Sequence, residues 1–371
     1  MNLEELLKGM VEKDASDVYL TVGFPPAYRV EDKTTPIPAE ALKPEDTERI
    51  AFSVMNEKQK ATFLEEKEMN LALSYPSIGR FRVNIFYQKT YIGLVIRQIK
   101  LQIKTIDELG LPTVLKDVAM TKRGLVLVVG AAGSGKSTTL AAMIDHRNSK
   151  SPGHIITVED PIEFVHNHKL SVVDQREVGF DTLSFGGALE NTLRQAPDVI
   201  LVGEVRDTET MEAVINFSET GHLCLATLHA NNANQSIERV INFFPAERHE
   251  QIYLLLSLTL RAIISLRLIP TVDGNRVAAL EILLDTPRVK DLIRKKEINL
   301  LKEAMKQGEQ EGMQTFDQAI YNYYVQGKIS YDTAMAYADS ANDLRLRIKL
   351  EGAEEEEVKK PTFKLRSEMK A

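Results

Sequence analysis

The sequence predicts a mixed α/β protein: a small N-terminal α+β domain, then a larger domain on a mainly parallel sheet, then a helical C-terminal subdomain. Three observations predict it. Up to about Lys100, amphipathic helical patterns mix with short alternating runs; from Gly124, unbroken apolar runs alternate with helical stretches; after about Thr286 the pattern turns helical. A length of 371 residues exceeds what one core usually serves. The expected division is 1–100, a linker at 101–123, 124–285, 286–351 and a tail at 352–371.

In the first unit Leu3, Leu6, Leu7 and Met10 mark one helix face, and Glu45 to Glu65 reads as a second helical region. Met69 to Tyr75, Arg80 to Tyr87 and Tyr91 to Ile99 alternate polar and apolar positions across short connections, the pattern of consecutive antiparallel strands. Leu101 to Arg123, with Gly110 and Pro112, reads as a linker carrying a short helix. In the larger unit the expected strands are Leu125–Val129, Ile155–Val158, Val199–Val202 and Leu223–Leu228. Runs without alternation imply burial on both faces, hence a parallel sheet covered by helices. Val289–Ile293 and Phe316–Val325 belong to the helical end, and the charged tail from Gly352 to Ala371 is expected to be disordered.

Composition excludes several function classes. The 46 basic residues against 53 acidic ones leave a net charge of −7, which argues against sequence-independent binding to nucleic acid. Cys224 is the single cysteine, so no disulfide or thiolate metal site can form within one chain, as suits a reducing cytoplasm. The start MNLEELLKGMVEKDASD is charged throughout, so no secretory signal is expected. The most apolar later stretch, Tyr253–Ile269, carries Arg261 and Arg267, so no direct membrane insertion is expected and membrane association would come through partners.

The strongest motif is Gly130-Ala-Ala-Gly133-Ser134-Gly135-Lys136-Ser137, followed by Thr138. It fits G-x-x-x-x-G-K-[ST] and lies between an apolar strand and a helical run, the context that a phosphate-binding loop requires. Glycines let the backbone wrap a phosphate, which backbone N–H groups and the helix N-terminus favour. Lys136 would reach the β and γ phosphates, and Ser137 would offer its hydroxyl to Mg²⁺. No N-K-x-D guanine-reading motif occurs, so ATP is the expected nucleotide.

Three further clusters follow expected strands: Glu159, Asp160 and Glu163; Glu204; and His229. All fall at the carboxyl ends of parallel strands, where open α/β sheets bind ligands. Glu204 ends an apolar strand and is the candidate Mg²⁺-holding carboxylate. Glu163 is the candidate for orienting and deprotonating the attacking water, with Glu159 and Asp160 open alternatives. His229 would sense the γ phosphate. His222, at the strand's other end, could brace the sheet or support the site from behind. Leu183-Ser-Phe-Gly-Gly187 reads as a helix start.

Together GAAGSGKSTTLAAMIDHRN, ITVEDPIEF, DQREVGFDTL, LRQAPDVILVGEVRD and TGHLCLATLHANNA resemble, in order and spacing, the secretion ATPase superfamily. DQREV, RVINFFPAE and GMQTFDQAI are similar to its type IV pilus retraction branch, the PilT/PilU group. The resemblance runs from near Met1 to about Tyr337. It implies a PAS-like first domain, a RecA-like ATPase domain and a homohexameric ring. It also implies that Arg82 and Arg97 complete the nucleotide site from the N-terminal domain. Pro287-Arg-Val-Lys-Asp-Leu-Ile-Arg294 departs from the A-I-R-N-L-I-R segment of retraction ATPases, and the chain continues past the usual end. Both features look like the accessory retraction ATPases, which implies a PilT-like ring and an inner-membrane pilus platform protein as partners. A nucleotide-dependent adaptor and a secretion or DNA-transfer ATPase are the competing readings.

Overall fold

A computed structural model describes residues 2–30, 33–75, 77–99 and 102–358, with side chains described to 351. It is built on two sheets, each with its own core.

The first begins with helix α1 (Leu3–Glu12), capped by the Asn2 side chain, which accepts from the Glu4 N–H, with Leu3, Leu6, Leu7 and Met10 buried as their spacing predicts. Strands β1 (Asp17–Leu20), β2 (Ala27–Val30) and β3 (Lys33–Pro36) follow. Next come helices α2 (Pro44–Ser53) and α3 (Glu57–Glu66), then β4 (Glu68–Tyr75), β5 (Gly79–Gln88) and β6 (Tyr91–Ile99). The six strands order as β3-β2-β1-β6-β5-β4, all antiparallel. The helical region expected over Glu45 to Glu65 holds two helices, α2 and α3. Helix α2 ends at its C-cap Val54, and Asn56 starts α3 with a capping box to Gln59.

Helix α4 (Val114–Ala119) lies in the connecting segment. The second sheet is made of β7 (Gly124–Gly130), followed by α5 (Lys136–Lys150), then β8 (Gly153–Glu159) and β9 (Ser171–Glu177). After α6 (Phe185–Thr192) come β10 (Val199–Val202), α7 (Thr208–Glu219), β11 (Leu223–Leu228), α8 (Ala233–Asn242), α9 (His249–Thr259), β12 (Leu260–Pro270) and β13 (Arg276–Leu284). The order is β13-β12-β7-β11-β10-β8-β9, parallel except for β13.

Strand β7 shows why its run lacks alternation. Leu125, Leu127 and Val129 belong to the core on one face, and Val126 and Val128 to the core on the other. All four strands expected from the sequence are present. Ser184 caps α6, as the helix-start reading of Leu183 to Gly187 expects.

Three strands of this sheet lie outside the four read from the sequence. Strand β9 is a half-polar edge. The apolar stretch from Tyr253 to Ile269 divides between α9 and β12, which then pairs with β13 along nine residues. Of its two arginines, Arg261 pairs with Asp285 at 2.6 Å, and Arg267 pairs with Asp339 at 2.6 Å while stacking on Phe316. No helix among the described residues is long and apolar enough to cross a membrane.

The helical end comprises α10 (Pro287–Arg294), α11 (Leu301–Gln307), α12 (Phe316–Val325), α13 (Tyr331–Tyr337) and α14 (Ala341–Val358). Helix α14 takes in the first residues of the expected tail, and the remainder lies outside the described residues.

Candidate functional site

Because β7, β8, β10 and β11 run parallel, the loops after them meet at one edge of the sheet. There they line a cleft of about 390 Å³ that includes Gly133, Lys136, Ser137, Glu163, Glu204 and His229. Gly135 and Thr138 belong to the same wall.

The loop backbone explains its glycines. At Gly130, with φ of 152°, a Cβ would meet the Leu266 carbonyl oxygen at 2.7 Å. Gly135, with φ of 96°, occupies the N-cap of α5 without a side-chain cap. The first N–H groups of that helix are therefore left for a ligand. The buried Ser134 hydroxyl has no hydrogen-bond partner. Lys136 Nζ donates to the carbonyls of Gly130 and Ala131, each at 2.9 Å. Burial holds its ammonium below its ordinary pKa, against the pull of Glu204 and Glu163.

The carboxylates that the sequence could not rank occupy different surroundings. Glu163 Oε1 accepts from the Ser137 hydroxyl at 2.6 Å. Asp160 faces Arg206 at 3.6 Å. Glu159 is deep in the wall, where Oε1 accepts from Thr157 Oγ1 at 2.7 Å and Gln175 Nε2 at 3.1 Å. Burial outweighs both bonds and pushes its carboxyl up to about 7. Folded protein therefore keeps a proton that unfolded chain releases at lower pH, so stability is lost as pH rises from the ordinary glutamate range to about 7. Thermal melts from pH 5 to 7.5 are expected to show wild-type losing on the order of 3 kcal/mol relative to Glu159→Gln. Parallel curves would contradict this.

Glu204 is held from both sides: His229 Nε2 lies 3.0 Å from Oε1, and Arg206 donates to Oε2 at 2.7 Å. Burial works to raise this carboxyl, but Arg206, His229 and Lys136 together keep it below its ordinary value. His222, at the opposite end of β11, sits within hydrogen-bond distance of Thr220 Oγ1 and the Phe217 carbonyl, a brace remote from the cleft.

The two N-terminal arginines stand opposite each other, Arg82 on β5 in register with Arg97 on β6. Neither lines the cleft. Arg97 Nε binds Asp17 at 2.8 Å, and the Arg82 guanidinium lies close enough to act on Glu177.

Sequence reasoning missed Arg206, Gln175 and Glu281. Gln175 also donates to the Phe164 carbonyl at 2.9 Å and accepts from the His166 N–H at 2.7 Å, tying the segment after β8 to β9. Buried Glu281, pushed up to about 6 by burial, accepts from the Ala233 N–H at 2.8 Å and so anchors the start of α8, four residues after His229. The sequence contained one signal for Arg206, its place two residues beyond Glu204; the others depend on contacts across the sheet.

Comparison with known proteins agrees with this geometry. The model of the family "Type II/IV secretion system protein" matches residues 3–310. The chain is 57% identical to the type IV pilus ATPase PilU of Pseudomonas aeruginosa, over 94% of this chain and 92% of that protein. It is 43% identical to the type IV pilus retraction ATPase PilT of the same organism, over 90% of this chain and 97% of that protein. Its fold matches the crystal structure of the pilus retraction motor PilT with bound ADP at a TM-score of 0.88 and 41% identity, covering 93% of this chain and 99% of the other. A RecA-like sheet bearing a phosphate-binding loop, an N-terminal sheet domain and similarity over nearly the whole length lead to one conclusion: the chain belongs to the type II/IV secretion ATPase family, in its PilT/PilU group.

Proposed function

We propose that this chain is an ATP-hydrolysing motor subunit that powers or assists type IV pilus retraction, as a PilU-type accessory ATPase. The observation that carries the reading is the meeting of Lys136, Ser137, Glu163, Glu204 and His229 around one cleft at the carboxyl edge of the sheet.

The backbone N–H groups of the loop and the uncapped start of α5 bind phosphate oxygens. Lys136 exchanges its two carbonyl partners for phosphate oxygens, a stronger, charge-assisted contact. The Ser137 hydroxyl and the Glu204 carboxylate are oxygen donors on this cleft, a set that suits Mg²⁺. Bound there, Mg²⁺ would neutralise charge on the β and γ phosphates. Glu163 orients the attacking water and takes its proton, and His229 and Arg206 fix Glu204 from either side.

The working unit in this reading is a homohexamer on the inner-membrane pilus platform, acting beside a PilT-like ring. The test is twitching motility in cells that keep an intact PilT-like ATPase. Lys136→Ala in this chain is expected to reduce retraction under load to the level of a deletion. Retraction undiminished by Lys136→Ala, with the deletion still impaired, would favour the competing reading, an adaptor that binds a PilT-like ring without motor activity of its own.

A further inference from the structure

Three buried polar atoms without hydrogen-bond partners gather at the seam between the two sheets: Arg80 Nε and both carboxylate oxygens of Glu177. Glu177 is 1% exposed, and the Arg80 guanidinium comes no nearer than 3.7 Å. That distance permits charge attraction but not a hydrogen bond. Burial raises the Glu177 carboxyl, while Arg82, the Ile162 N–H and Arg80 oppose it without closing a strict hydrogen bond. A buried carboxylate left this way costs free energy unless another arrangement of the seam uses it. A shift of about 1 Å would bring the Arg80 fork into bidentate range.

Its position on the sheet gives the carboxylate a route to the cleft. Glu177 ends β9 directly opposite Glu159 on β8, and the Val178 N–H donates to the Glu159 carbonyl at 2.9 Å. Gln175, two residues earlier and therefore on the same strand face, holds the Glu159 side chain and the Phe164 and His166 backbone. One strand thus faces Arg80 at its end and the wall of the cleft beside it.

We infer that Glu177 is a positioning residue: it docks the N-terminal sheet through Arg80 and Arg82, and β9 transmits that docking to the Glu159–Glu163 segment. The second half of this inference rests on reading the cleft as the site of ATP hydrolysis; the first half does not.

Pulsed electron paramagnetic resonance on spin labels at Lys58→Cys and Lys150→Cys tests it, since both positions are exposed and Cys224 is buried. Glu177→Gln and Arg80→Gln are each expected to broaden the interdomain distance distribution, and the double variant to add nothing beyond either one. The same variants should lower kcat for ATP about fivefold or more at unchanged nucleotide affinity. Arg80→Lys, which keeps the charge without the fork, should restore part of both. Distributions unchanged in both single variants would overturn the docking role. Broadened distributions with wild-type kcat would overturn the link to the cleft. If wild-type protein hydrolyses no ATP, the proposed function fails while the distance measurement still decides the seam. Arg80→Gln carries the test where Glu177→Gln does not fold.

Discussion

Glu163→Gln is expected to lower kcat for ATP hydrolysis by about 10²- to 10⁴-fold, the range for loss of a positioned general base. Nucleotide affinity should change little. The amide keeps the shape of the side chain and can still accept from the Ser137 hydroxyl, which lies 2.6 Å from Glu163 Oε1, but it cannot take a proton from water. The neighbouring carboxylates are worse placed for that task. Glu159 is held away from the cleft centre by Thr157 and Gln175, and Asp160 faces Arg206. Single-turnover hydrolysis with saturating ATP separates the three. A greater loss in Asp160→Asn or Glu159→Gln than in Glu163→Gln would transfer the role.

Lys136→Ala acts at an earlier step. It removes an ammonium at the wall of the cleft that is already desolvated and attracted by Glu204 and Glu163. A charge-assisted donor in such a place is worth more than in water. Loss of about 10²- to 10³-fold in ATP affinity is expected, by analogy with removal of a preorganised donor. Titration with a fluorescent ATP analogue measures it, and circular dichroism checks that the fold survives. Affinity within a factor of about three of wild type would mean that Lys136 remains on the Gly130 and Ala131 carbonyls when nucleotide binds.

Much of the ATPase sheet was legible because its central strands are buried on both faces and so read as unbroken apolar runs. Strand β7, buried at every residue, is the clearest instance. The phosphate-binding loop was legible because its chemistry is local, with glycines, lysine and serine inside eight residues. Strand β9 escaped because an edge strand alternates, and its Asp174, Gln175 and Arg176 look like loop residues. Strand β12 escaped because an apolar run does not distinguish helix from strand, and the chain changes from one to the other at Leu260. In the N-terminal sheet β1, β2 and β3 have four residues each, and β3 is exposed throughout, too short and too polar for a periodic signal.

The same division holds within the site. Glu204 and His229 could be placed at strand ends from sequence, but their 3.0 Å contact could not. Arg82 and Arg97 were singled out by resemblance alone. Their register is now visible, and so is the partner of Arg97, Asp17, while Arg82 lends its charge to Glu177. Arg80, one strand position pair away from Arg82 on the same face, emerges only from its 3.7 Å approach to a carboxylate 97 residues further along the chain.

Steady-state ATP hydrolysis by the purified chain with Mg²⁺, with particle mass recorded by light scattering at the same concentration, tests the cleft most directly. Hexamers that turn over ATP, with activity lost on adding a chelator, are the predicted result. Protein that binds ATP and assembles but does not hydrolyse it, even when a PilT-like ring is supplied, would contradict the reading of the cleft as a catalytic site.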